Sequence, residues 1–280
     1  MSESMFKFSC ADFTFPLLSH GNALQLIRLL GIDAVDLGLF EGRSHIYPSM
    51  VTNDLRRTVR DVIRDLSSAG LVVGDVFLQT GVDPHDAAAN SPDKSVRLRN
   101  REVFQRIIEF AKLVGSNHIT GLPGVYHMGQ NSKDDWKRAV EEAKWRVETS
   151  WKAGITYSIE AHVGSLLHDT ETTLTFVKCC PDLTLTLDYG HFIYQGHTNE
   201  SVHPLIPYAS HCHARAGSQG KLQTIVKENE IDFESLLTLL RKSGYQGYIC
   251  LEFVYQDWEG CNRTDNVSET IQLYDMLKAI

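Results

Sequence analysis

Five helical runs in this chain stop on a glycine that stands just before an apolar stretch: Gly31, Gly70, Gly115, Gly154 and Gly244. A residue without a Cβ lets the chain leave a helix through the left-handed region and enter a strand after a short connection. Repeated along the chain, this punctuation predicts eight strand-then-helix units. Strands are expected at residues 6–15, 32–39, 71–80, 117–122, 155–162, 183–188, 210–216 and 248–255. Helices are expected at 22–30, from a cap at Asn53 or Asp54 to Ala69, and at 96–114. Four more are expected at about 132–152, from Asp169 or Thr170 to Cys180, at 231–243 and at 266–279. Residues 81–93 and 196–208 read as long polar or poorly defined connections.

A closed α/β barrel typically needs about 250 residues, and the chain has 280. With no composition break along it, a (β/α)8 TIM barrel spanning 1–280 as a single domain is the expectation. A doubly wound open sheet is the runner-up. It would leave strand edges, and no Gly-rich dinucleotide fingerprint follows the first strand.

Four of the strands end in a metal-ligating residue. LTLTLDYGHF alternates Leu with Thr and ends at Asp188, ITYSIEAH carries Glu160, SHCHARAG carries His213, and YICLEFVY carries Glu252. Barrel enzymes place their chemistry at the carboxyl ends of strands. Three carboxylates converging without a cation would repel one another, which points to one divalent ion held with the imidazole, Mn²⁺, Mg²⁺, Co²⁺ or Zn²⁺. Alternate side chains of a strand share a face, so Glu160 and His162 point together, as do His211, His213 and Arg215.

In this order and spacing, SIEAH, LDYGH, HCHARAG and GYQGYICLEF resemble the xylose isomerase-like TIM barrels. That sugar phosphate isomerase and epimerase group includes tagatose-type 3-epimerases, hydroxypyruvate isomerases and inosose dehydratases. The resemblance is best over residues 155–255. It implies metal ligation by Glu160, Asp188, His213 and Glu252, Mn²⁺ first among the candidate ions, with the two glutamates also acting as acid and base on opposite faces of a sugar. It further implies substrate contacts from His191 and Arg215, with His162 a candidate beside them and His211 in a supporting place. Dimers or tetramers are usual in the group. The 3-epimerases carry a glutamate where this chain has Leu166 and an arginine where it has Gln219, which argues against free-ketose 3-epimerisation. EAHVGSLL is closer to branches acting on inositol derivatives, keto sugars or sugar acids.

The implied chemistry is proton transfer through an enediolate, giving an isomerase or epimerase of a sugar or a related polyol. A lyase that expels a β-hydroxyl from a keto-inositol or 3-keto sugar is the alternative. An abasic-site endonuclease is a remote one, because that barrel needs three zincs and a basic face. A net charge of −8 also speaks against nucleic acid as partner. The start, MSESMFKFSC, has no apolar leader core, no run is long enough to span a membrane, and the six cysteines form no CxxC pair. A reduced, cytoplasmic enzyme is expected. His45 and His127 read as loop histidines, Trp136, Trp145 and Trp151 as packing, and Trp258 as a candidate pocket wall. Arg97, Arg99, Arg101 and Arg106 read as a solvated helix face.

Overall fold

In the computed structural model, which describes residues 6–280, eight parallel strands close on themselves in sequence order, β8 pairing back onto β1. They are β1 (Lys7–Ala11), β2 (Ala34–Phe40), β3 (Val72–Gln79), β4 (His118–Gly121), β5 (Thr156–Glu160), β6 (Thr184–Asp188), β7 (Ala209–Ala214) and β8 (Tyr248–Leu251). The helices between them are α1 (His20–Leu29), α2 (Pro48–Asn53), α3 (Leu55–Ala69), α4 (Lys94–Val114), α5 (Ser132–Lys152), α6 (Thr170–Cys179), α7 (Tyr189–Tyr194), α8 (Asn199–Val202), α9 (Phe233–Ser243) and α10 (Asn266–Ala279). This is the (β/α)8 barrel expected from the sequence. Met1–Met5, half of the stretch read for a leader, lie outside the described residues.

Local chemistry sets the boundaries. Asp54, Asp93, Asn131, Asp169, Asp232 and Asp265 each accept a backbone N–H in the first turn of the helix that follows. Helices α3 and α4 end at Gly70 (φ 69°) and Gly115 (φ 89°), left-handed positions that a Cβ would strain. Leu185 and Leu187 of β6 and Ile249 and Leu251 of β8 belong to the apolar layer under the helices. The alternate residues face the barrel interior.

That interior is polar below the carboxyl ends. The hydroxyls of Thr120, Ser158 and Thr186 bond one another across the barrel. His118 Nδ1 meets Asp75 at 2.6 Å and its Nε2 meets the Ser210 hydroxyl at 2.8 Å. His211 Nε2 meets Asp36 Oδ2 at 2.6 Å.

Several expectations need correction. The first strand stops at Ala11, because Asp12–Thr14 turn as a 3-10 helix while Asp12 Oδ1 accepts the Gly38 N–H. Residues 48–53 form a helix of their own, α2, with proline in its first turn. The 196–208 connection contains α8 and a 3-10 helix, His203–Tyr208. Arg97 and Arg101 do not merely face solvent. Both pair with Glu142, buried on α5, at 3.8 and 2.9 Å. Trp136 packs edge-on against Phe176 and Trp145 under Arg101, but Trp151 is 75% exposed and packs little.

Gly38 on β2 sits under the Phe13 ring, and a Cβ there would lie 2.3 Å from the ring carbon Cδ1. Gly38→Ala is therefore expected to cost roughly 1–3 kcal/mol of stability by forcing the ring aside. Urea unfolding would check this. An unchanged midpoint would mean that the ring yields freely.

Candidate active site

Asp188 ends β6 and caps the helix that follows. Its Oδ1 accepts the Gly190 N–H at 2.7 Å, so the chain passes from strand to α7 without a loop. Tyr189–His191, a triplet that taken alone reads as an outward turn, is helical. One turn of helix carries His191 back over the strand ends, where its Nε2 stands 3.6 Å from Asp188 and 3.9 Å from Glu160. The Val163 N–H donates to its Nδ1 (3.2 Å). Burial, the largest influence, holds this imidazole down to about 4, so it is neutral at physiological pH.

The other expected residues meet at the same place. Asp188 lies opposite His213 in the β6–β7 register, and His213 lies opposite Cys250 in β7–β8. Glu252, just past β8, continues the pairing by donating its N–H to Ala214 O. His213 Nδ1 contacts Glu160 Oε1 at 2.6 Å and Glu252 Oε2 at 3.5 Å. The Arg215 guanidinium reaches in from just beyond β7. Its Nε donates to Asp188 Oδ2 at 2.9 Å, and its Nη2 reaches the same oxygen, Glu252 Oε2 (3.1 Å) and His191 (3.0 Å). Glu160, Asp188, His191, His213, Arg215 and Glu252 are all buried. His162 follows the strand rather than belonging to it. Its Nδ1 is tied to Val163 O (2.7 Å), its Nε2 has no hydrogen-bond partner, and burial lowers its pKa.

The charges do not balance without a further cation. Three buried carboxylates stand against one guanidinium, leaving two negative charges. Without a metal, protons fill the gap. Burial disfavours the imidazolium of His213, but Glu252 and Glu160 outweigh it and push the ring up to about 10. Glu252 is raised to about 7, first by burial and then by Glu160 and Asp188. A divalent ion beside a neutral His213 balances the same charges. Glu252 Oε2 is buried and accepts no well-aligned hydrogen bond, although Arg215 Nη2 stands 3.1 Å and His213 Nδ1 3.5 Å away. Glu160, His213 and Glu252 offer ligand atoms within 4.8 Å of one another, and so do Glu160, Asp188 and His191. The donor set thus fits a divalent cation.

Above these groups opens a cavity of about 640 Å³. Glu160, His162, His191, Arg215 and Glu252 line its base. Its walls include the edge-to-face cluster Phe13, Phe40 and Phe77, with Phe77 5.4 Å from the His213 ring, and Trp258, 6.4 Å from His191. Trp258 is thus the pocket wall the sequence suggested. The phenylalanines, Arg43, Gln79 and the 82–85 loop are not singled out from sequence: Phe13, Phe77 and Gln79 fall inside expected strands, and Phe40, Arg43 and the 82–85 loop just after one. His45 and His127 take no part: His45 bonds Asp12 O, and His127 bonds Asp135.

The xylose isomerase-like TIM barrel family model matches residues 24–279. No curated protein matches the sequence. Among solved structures, the chain is similar to D-psicose 3-epimerase from Clostridium cellulolyticum H10, determined with D-tagatose (TM-score 0.77, 15% identity, 98% of this chain and 99% of that one). It is also similar to the probable 3-DHS dehydratase AsbF of Bacillus anthracis (TM-score 0.72, 16% identity, 96% and 99%). A third is a xylose isomerase-like TIM barrel protein from Mycobacterium smegmatis in complex with magnesium (TM-score 0.74, 13% identity, 100% and 99%). At these identities the likeness concerns the fold alone. A family match over nearly the whole chain, together with the closed eight-strand barrel, places this protein in the xylose isomerase-like TIM barrel family.

Proposed function

We propose that the protein is a divalent-metal-dependent isomerase or epimerase of a sugar or closely related polyol, with Glu160, Asp188, His213 and Glu252 as metal ligands. Mn²⁺ is the first candidate, and a magnesium complex of a similar structure supports a hard ion. The observation that carries the reading is the pair Glu160 and Glu252, which flank His213 beneath one open cavity with their proton affinities pushed apart. Burial would raise Glu160, but His213, His191 and Arg215 hold it down to about 2, while Glu252 rises to about 7. Two carboxylates so separated suit a base and an acid at neutral pH.

Bound there, the ion would supply Lewis acidity to a substrate carbonyl and its neighbouring hydroxyl. Glu160, ionised, takes the proton from the α-carbon. Glu252, on taking up a proton from a substrate hydroxyl or solvent, returns one: to the opposite face of that carbon to epimerise, or to the neighbouring carbon to isomerise. Neutral His191 and fixed Arg215 orient hydroxyls at the base of the cavity, with His162 beside them. The second reading, a lyase, is supported by the similar dehydratase structure and needs only a β-hydroxyl as leaving group.

Elemental analysis of purified protein beside His213→Ala tests the metal. About one Mn, Co, Mg or Zn per chain, lost in the variant, is the expected result. Three zincs would restore the nuclease reading, and no metal after reloading would overturn the mechanism. Product mass separates isomerase from lyase, since only the lyase product loses water.

A further inference from the structure

We propose that the substrate carries an anionic group, a carboxylate or a phosphate ester, and that Arg43 receives it at the cavity wall. This rests on the sugar-substrate reading and names a substrate class within it.

Arg43 lies in the loop after β2 and lines the same cavity as Glu160 and Glu252. Its guanidinium is built in rather than free. It stacks over the Phe40 ring at 5.4 Å, Nη1 donates to Gln256 Oε1 at 2.8 Å, and Nη2 donates to Gln79 Oε1 at 2.8 Å. Gln79 is buried and is itself fixed by donating to Gly81 O at 2.9 Å. Both hydrogen-bond partners of Arg43 are neutral amides. Among the described residues no carboxylate comes within ion-pair distance of it, whereas Arg101, Arg138 and Arg215 all have one. Asp83 also lines the cavity, but its Oδ1 is occupied by the backbone N–H groups of His85 (2.7 Å) and Asp86 (2.9 Å).

A guanidinium has five N–H donors, and two are used here. Holding it in place with amides keeps its fork fixed, and Asp83 acts on its charge only from beyond ion-pair distance. Sugar hydroxyls alone would be served by Gln79 and Gln256. A planar cation with no carboxylate in contact suits a carboxylate or phosphate, which it can meet through two parallel hydrogen bonds. The anion then marks the end of the substrate remote from the carbon that exchanges its proton.

Calorimetric binding to the metal-loaded protein tests this with matched probes: D-ribulose 5-phosphate against D-ribulose, and 5-keto-D-gluconate against D-fructose. At least one anionic probe is expected to bind about tenfold or more tightly than its neutral partner, and the preferred anion identifies the group. Arg43→Gln should reduce that preference to within about twofold and leave the neutral probes unchanged, while Arg43→Lys should restore part of it. No preference for either anion in the wild type would overturn the proposal. So would a preference that survives Arg43→Gln in a variant with an unchanged melting temperature, since the anion would then bind elsewhere. Metal content and proton exchange stay independent of these arms, so failure here leaves the isomerase reading to its own tests.

Discussion

Glutamine at position 160 or 252 is expected to lower kcat by about 10²–10⁴, the range of a lost general acid or base. The substitution keeps the volume of a buried side chain and removes only its ability to carry the proton. The two variants should fail differently. Glu160 is held ionised by His213, His191 and Arg215 against the effect of burial, so Glu160→Gln should lose both turnover and exchange of the α-proton with deuterated solvent. Glu252 is the group placed to return a proton, so Glu252→Gln should still exchange that proton while making little product. Both are also proposed metal ligands, so metal content must be measured beside each rate. A variant that keeps its metal and loses its rate isolates the proton transfer. Wild-type rates in both variants would remove the glutamates from the chemistry.

Much of this site could be read from sequence because each of its residues is announced by its own strand. Asp188, Glu160, His213 and Glu252 stand where an apolar run ends, and a barrel brings all strand ends to one rim whatever the details of packing. Helix ends were legible for the same local reason, as at Asp54 and Gly70. What was not legible depends on partners far apart in the chain. Asp36 carries no signal within its expected strand, since its partner His211 is 175 residues away across the barrel. Glu142 faces Arg101 across two helices, 41 residues apart, so the arginine row looked solvated when read alone. The shift of Asp188 from strand end to helix cap was hidden because Tyr-Gly-His reads as a turn until tertiary packing holds it helical. Arg43 carries no signal beyond its loop, since only the fold brings Gln79 and Gln256 to either side of it.

The charge count at the site also sets how strongly metal affinity depends on pH. In the metal-free protein His213 is pushed up to about 10 against the effect of burial, so it carries a proton throughout the physiological range. A metal displaces that proton, and affinity should rise about tenfold per pH unit, about a hundredfold from roughly pH 6 to 8. Glu252, raised to about 7, adds to the slope below neutrality in the same direction. Titration with Mn²⁺ in buffers of different ionisation heat would count the protons released, with about one expected near pH 8 and more near pH 6. Folding stability of the metal-free protein gives an independent readout. A group whose pKa is higher in the folded state stabilises most below its unfolded value and loses that contribution as pH rises through the folded one. For His213 the loss should run from about 6.5 to about 10, and for Glu252 from about 4.5 to about 7. Saturating metal should abolish both, because the ion takes the place of the protons. An affinity that stays flat from pH 6 to 8 would mean that His213 is already neutral in the metal-free protein, and that the carboxylates around it are balanced by something other than its proton.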